Sequence, residues 1–307
     1  MVASFASSSC LSAATCIEEA SARCRTVFPC RDYDLSATLT SGQAFRWNCR
    51  DAGWEGVIDA RWVRLTSGAD GIVAETASPG GDWAWLKGWL RVEENLAEIL
   101  ATFPDDQPMR AATTACRGLR LLRQDPWECL ASFILSSTKQ IVQIRQIVAL
   151  LCERFGEPLD VPPGREPQYS FPTPERIATA TEAGLRACKM GFRAPYLLAA
   201  SRMIAGGELD LGALSAFSIA DARARLMELP GVGRKVADCV LLFAYGFQEA
   251  FPVDVWVMKA LRRLYFPRRR VAPKRLQRFT ATYFGPYSGY AQQYLFHYMR
   301  VHRRADD

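Results

Sequence analysis

The chain has 307 residues, 49% of them hydrophobic and 11% aromatic, with a formal net charge of +6. That length exceeds the usual single domain, and the composition supplies a real core, which excludes a disordered chain. No run approaches the roughly eighteen apolar residues of a membrane span, so no membrane partner is expected.

Residues 1–30 read as a poorly ordered tail. Met1 to Thr15 is rich in Ser and Ala, and no Lys or Arg precedes Arg23, which argues against the cationic start of a secretory signal. Cys10, Cys16, Cys24 and Cys30 fall there, but their spacing matches none of the close Cys-x-x-Cys pairs that clip zinc. The remaining cysteines are scattered singly through apolar segments, and no C-terminal cluster of four could hold an iron–sulfur centre. The pattern predicts a reduced, intracellular protein with no metal or cofactor.

Residues 31–115 read as a small antiparallel β-sheet domain. Ala44-Phe45-Arg46-Trp47, Gly56-Val57-Ile58 and Arg61-Trp62-Val63-Arg64-Leu65 alternate with a period of two, and Asp59-Ala60 makes a hairpin turn. Residues 116–307 read as a larger helical domain, giving an α+β fold that is mainly α. Asp125-Pro126-Trp127-Glu128 starts a helix, with Asp as N-cap, Pro at the first position and Glu closing a capping box. Further helices are predicted over Ile141–Phe155, Pro195–Ile204 and Ser218–Glu228, with loops at Pro162-Pro163-Gly164 and Phe171-Pro172-Thr173-Pro174.

Leu229-Pro230-Gly231-Val232-Gly233 then separates two helices, the second running from about Arg234 to Ala244. So tight a turn needs glycine, and it leaves helix N-terminal N–H groups able to meet a phosphate oxygen. The same pattern also suits an αα-hairpin with no ligand. Lys235 sits in the first turn of the second helix, where a cation opposes the helix dipole, a placing that suits a nucleophile better than a surface charge. Asp254 caps a later helix and, beyond that ordinary role, could stabilise positive charge near the nucleophile.

From Val255 to Arg304 there are twelve Lys or Arg and no Asp or Glu, an asymmetry that suits a polyanion or else a solvated basic face. The cluster Arg268, Arg269 and Arg270 also has the look of a nuclear-localisation patch.

The helix–LPGVG-x-K–helix segment followed by Val253-Asp254 resembles the helix-hairpin-helix superfamily of DNA glycosylases. Ser41-Gly42-Gln43-Ala44-Phe45-Arg46-Trp47, Leu121-Leu122-Arg123-Gln124-Asp125-Pro126, Pro252-Val253-Asp254-Val255 and Gly289-Tyr290-Ala291-Gln292 through Phe296 are similar to its 8-oxoguanine DNA glycosylase/AP lyase branch. The resemblance implies a monomer that acts on double-stranded DNA containing oxidised guanine, inside the cell, with its active site between two helical subdomains. It implies Lys235 as nucleophile and Asp254 as its electrostatic partner. Cys239 and Phe296 would sandwich the flipped base, Gln292 would meet its Watson–Crick edge, and the Gly42 carbonyl would accept from N7–H. Gly231, Val232 and Gly233 would hold phosphate, with Phe192 as an aromatic wedge and Arg193 reading the opposite strand.

Three positions depart from that family. Thr138 and Gln143 stand where an Asn and an Arg read the base left behind, and Trp256 stands where a phosphate-contacting His is usual. The departures imply a weaker preference for cytosine opposite the lesion. Two other readings of the chain are a relative acting on alkylated or mismatched bases, against which Lys235 argues, and a non-catalytic DNA-binding module.

Overall fold

The computed structural model describes residues 24–267 and 271–301. The expectations for the tail ahead of Cys24 and for Arg268–Arg270 lie outside the described residues. Five strands form one antiparallel sheet in the order β1-β5-β4-β3-β2: β1 Arg25–Pro29, β2 Asn48–Arg50, β3 Gly53–Ile58, β4 Arg61–Gly68 and β5 Gly71–Thr76. The β3–β4 hairpin pairs Ile58 with Arg61 across Asp59 and Ala60. Both turn residues take positive φ, 46° and 59°, the two-residue geometry whose twist matches that of the flanking strands.

β1 corrects the expected tail boundary. Its five residues pair with Gly71 to Glu75 and place Phe28 in the sheet's core beside Leu35, Trp47, Val63, Leu65 and Ile72. So short a strand has little periodicity of its own; it is ordered by a partner far along the chain.

Helix α1 (Leu35–Thr40) leads from β1 towards β2, and α2 (Ala84–Leu90), α3 (Leu96–Ala101) and α4 (Gln107–Ala115) follow the sheet. Leu96, Ile99, Met109 and Ala112 pack into the helical core rather than the sheet core. Leu122 goes the other way, into the sheet core. The two cores interleave along the chain and do not part at residue 115.

The remaining α-helices among the described residues are α5 (Pro126–Leu135), α6 (Ile141–Phe155), α7 (Pro174–Ala178), α8 (Glu182–Leu185), α9 (Ala194–Ala205), α10 (Ile219–Met227), α11 (Arg234–Val240), α12 (Val255–Leu264), α13 (Pro273–Tyr283) and α14 (Ser288–Val301). Asp125 caps α5 by accepting the Glu128 N–H at 2.7 Å. The return half of the capping box is diverted: the Glu128 carboxylate pairs with Arg46 at 3.2 Å, drawn by a guanidinium 82 residues away in sequence. α11 also departs from its expected length, giving way at Leu241–Tyr245 to a π turn that Gly246 closes at φ +75°. Among the described residues no helix is long and apolar enough to cross a membrane.

The α10–α11 hairpin is tied by a buried ion pair. Arg223 Nε on α10 lies 2.6 Å from Asp238 on α11, whose side chain is 3% exposed, and Arg234 adds a second cation at 3.6 Å. Burial lifts the Asp238 carboxyl and the Arg223 charge pulls it back. Removing one partner of a buried pair leaves an uncompensated charge. Arg223→Met is therefore expected to lose about 3 kcal/mol of stability in urea unfolding; an unchanged midpoint would mean that Arg234 alone satisfies Asp238.

Candidate active site

The α10–α11 hairpin is built by local rules. Ser218 caps α10, accepting the Asp221 N–H at 3.2 Å. The turn then needs glycine at position 231 on two counts. Its φ is +80°, and a Cβ there would lie 2.8 Å from the ring carbon Cγ of Tyr196 on α9. Of the three hairpin positions expected to meet phosphate, Val232 already spends its N–H on the Leu229 carbonyl at 3.1 Å. No described hydrogen bond uses the N–H of Gly231 or Gly233.

In the first turn of α11, Lys235 enters a cleft of about 740 Å³ that Gly42, Phe45, Phe133, Ser136, Thr138, Lys139, Asp254, Trp256, Phe296 and Arg300 also line. Lys235 Nζ donates to Ser136 Oγ at 3.0 Å and lies 4.9 Å from the Phe133 ring centre. Ser136 is oriented for this by donating its own hydroxyl to the Phe133 carbonyl at 2.7 Å. Cys239 sits one turn behind Lys235, 3% exposed; burial pushes its thiol up to about 12, against the pull of the Lys235 charge. It is a neutral thiol.

Asp254 faces the same cleft from the start of α12. Its Oδ1 accepts the N–H groups of Trp256 at 2.9 Å and Val257 at 2.8 Å. Burial raises its carboxyl above the usual range, while the Val257 N–H, the Lys235 charge, the Trp256 N–H and the Arg300 charge hold it down.

α14 supplies a third wall. Gln292, Phe296 and Arg300 recur every fourth residue and so share one helix face. Phe296 and Arg300 line the cleft; Gln292 is buried behind them, 3% exposed, and its Oε1 has no partner among the described residues. The Gly42 backbone closes the opposite side at φ +79°, where a Cβ would lie 2.7 Å from Ile141 and 3.3 Å from Phe296.

The residues expected to read the opposite strand lie outside this wall, apart from Thr138. Arg193 is 2% exposed and donates to the Ser137 carbonyl, to Thr138 Oγ1 and, at 3.2 Å, to the Met190 carbonyl. Phe192 is 53% exposed, beneath the Arg193 guanidinium at 4.2 Å. Gln143 turns back on its own helix and accepts the Gln140 N–H at 3.1 Å. Ser136, Phe133 and Arg300 were not expected in the site. Only Arg300 had a readable signal, the spacing of four from Gln292 through Phe296.

The chain is similar to known proteins along most of its length. Residues 26–130 match the 8-oxoguanine DNA glycosylase N-terminal domain, and residues 131–286 match the HhH-GPD superfamily of base excision DNA repair proteins. The N-glycosylase/DNA lyase OGG1 of Arabidopsis thaliana is 32% identical over 279 residues, 85% of this chain and 76% of its own length. The Clostridium acetobutylicum 8-oxoguanine glycosylase/lyase, solved with double-stranded DNA containing cytosine opposite 8-oxoguanine, superposes with a TM-score of 0.84 at 30% identity, covering 91% of this chain and 98% of that one. MBOgg1, solved with a low-affinity DNA ligand, gives a TM-score of 0.86 at 32% identity over 91% of this chain and 96% of that one.

The fold and the lysine-bearing hairpin thus define a helix-hairpin-helix base-excision repair protein. Within that class, the chain belongs to the 8-oxoguanine DNA glycosylase family.

One position in the site is under backbone strain. Thr138 has φ +58°, a left-handed conformation that β-branched residues rarely adopt and Asn tolerates far better. Thr138→Asn is expected to raise stability by about 1 kcal/mol in chemical unfolding; a lower midpoint would mean that the Thr138–Arg193 contact outweighs the strain.

Proposed function

We propose that this protein is a bifunctional DNA glycosylase/AP lyase, acting as a monomer, that excises 8-oxoguanine from double-stranded DNA through a lysine Schiff base. The observation that carries this reading is the meeting of Lys235 and Asp254 in one cleft, walled by Gly42 and Phe296. A base inside a duplex is inaccessible, so the damaged nucleotide swings out into the cleft, and Phe192, exposed at its turn, wedges into the space left behind. The hairpin N–H groups of Gly231 and Gly233 take a phosphate oxygen and fix the register of the duplex.

In the cleft, Phe296 and Cys239 sandwich the base and the unpartnered Gln292 amide oxygen meets its Watson–Crick edge. The Gly42 carbonyl accepts from N7–H. Guanine offers an acceptor at N7 and is repelled there, whereas the oxidised base offers a donor. Lys235 Nζ, as the neutral amine with its lone pair free, attacks C1′ of the sugar; the bond from C1′ to the base breaks, and its electron pair leaves with the base, which takes up a proton. The nitrogen now bound to C1′ loses one proton, the C1′–O4′ bond breaks with O4′ taking up a proton, and a protonated Schiff base remains. Removal of a C2′ proton then expels the 3′ phosphate. Asp254, as a carboxylate, stabilises the positive charge that grows at C1′.

Lys235→Gln keeps the hairpin and its phosphate contacts but removes the nucleophile. Its single-turnover excision of 8-oxoguanine is expected to fall at least about a thousandfold while duplex binding persists. Excision at the parental rate by this variant would refute the mechanism.

The opposite base is the second readout. Arg193 is already engaged by Thr138 and by two carbonyls, and Gln143 caps its own helix. A good bidentate contact to a base discriminates by about 1–3 kcal/mol, and the directional donors for one are missing here. Excision is therefore expected to fall less than about tenfold when cytosine opposite the lesion is replaced by thymine or guanine. A hundredfold cytosine preference would mean that other residues read the orphaned base.

A further inference from the structure

Helix α1 ends at Thr40, and the next residues lead directly to Gly42 at the cleft. The last carbonyls of a helix have no partner within it. Here the carbonyls of Thr40 and of the cap residue Ser41 are claimed by α14, some 260 residues later. Arg300 Nη1 donates to the Thr40 carbonyl at 3.0 Å, and Gln293 Nε2, on a side chain that is 2% exposed, donates to the Ser41 carbonyl at 2.9 Å. Beyond Gly42, the Gln43 carbonyl accepts from Gln124 Nε2 at 2.7 Å. The carbonyls on both sides of Gly42 are therefore committed, whereas no described hydrogen bond ends on that of Gly42 itself.

The two α14 donors stand seven residues apart, two helical turns, and so act from the same face. Arg300 is further steadied by the Phe296 ring, whose centre lies 5.4 Å from its guanidinium carbon. Segment and helix are thus laced together just ahead of the residue whose backbone lines the cleft, and Gln124 holds the residue after it. A peptide carbonyl at φ +79°, with its neighbours pinned, has one direction to offer, and hydrogen bonds weaken steeply when the donor angle is lost.

We propose that Gln293 and Arg300 are positioning residues for lesion recognition: by taking the Ser41 and Thr40 carbonyls, they aim the Gly42 carbonyl as the acceptor that separates a purine with an N7–H donor from guanine. The inference rests on the 8-oxoguanine reading above. A purely structural role would give a different signature, because loosening α14 from α1 would weaken lesion and undamaged duplex alike or lower stability without altering their ratio.

The test is equilibrium binding to duplexes made uncleavable by 2′-fluorination, carrying either 8-oxoguanine or guanine opposite cytosine. The parent is expected to prefer the lesion. Gln293→Leu and Arg300→Met, read separately, are each expected to lower the ratio of lesion to guanine-duplex affinity at least about tenfold. Arg300→Lys keeps a charged donor and is expected to regain most of the preference. A folded Gln293→Leu or Arg300→Met with the parental lesion-to-guanine ratio overturns the inference, and either folded variant alone decides. A parent with no preference overturns the 8-oxoguanine reading itself, and this inference with it.

Discussion

A lysine in the first turn of a helix faces the positive end of the helix dipole and ordinarily escapes into solvent. The Leu229–Gly233 turn denies Lys235 that exit. Because Gly231 tucks under the Tyr196 ring, α11 starts close to α9 and its first turn points at the end of α5. There the amine finds the face of Phe133 and the hydroxyl of Ser136. The Arg223–Asp238 pair locks the two hairpin helices behind it. The placing of one amine thus depends on a glycine with no side chain, a buried ion pair and a serine closing another helix.

α14 does the corresponding work for the rest of the cleft. Tyr290 donates its hydroxyl to Glu94 at 2.8 Å and Tyr294 donates to the Leu119 carbonyl at 3.0 Å, so the helix is fastened to the segments that follow the sheet. Gln293 and Arg300 fasten it to α1. Phe296, one turn before Arg300 on the same face, is thereby set opposite Gly42. Buried polar bonds of this kind add modest net stability, but leaving any one unmade is costly, which is how they hold two cores in one arrangement.

Much of the frame was legible where local chemistry decides it. Asp125, Ser218 and Asp254 cap their helices as their residue types require, and α6 spans the predicted Ile141–Phe155. Asp59 and Ala60 turn the hairpin that their neighbours' alternation implies. What escaped notice depends on distant partners. Glu128 leaves its capping box for Arg46, β1 pairs with β5 about 45 residues on, and Ser136 meets Lys235 across 99 residues of chain. Val232 was assigned to phosphate by its place in the motif, yet the tightness of the turn directs its N–H inward. Gln143 was placed by alignment with a motif, whereas its own helix start captures the side chain.

The account turns on Lys235 forming a covalent bond to the sugar. Borohydride reduction during reaction with an 8-oxoguanine duplex, followed by peptide mapping of the cross-linked protein, reads that bond directly. The account predicts one protein–DNA adduct, located on Lys235. No adduct despite base release, or an adduct on Lys139, the other lysine lining the cleft, would contradict it.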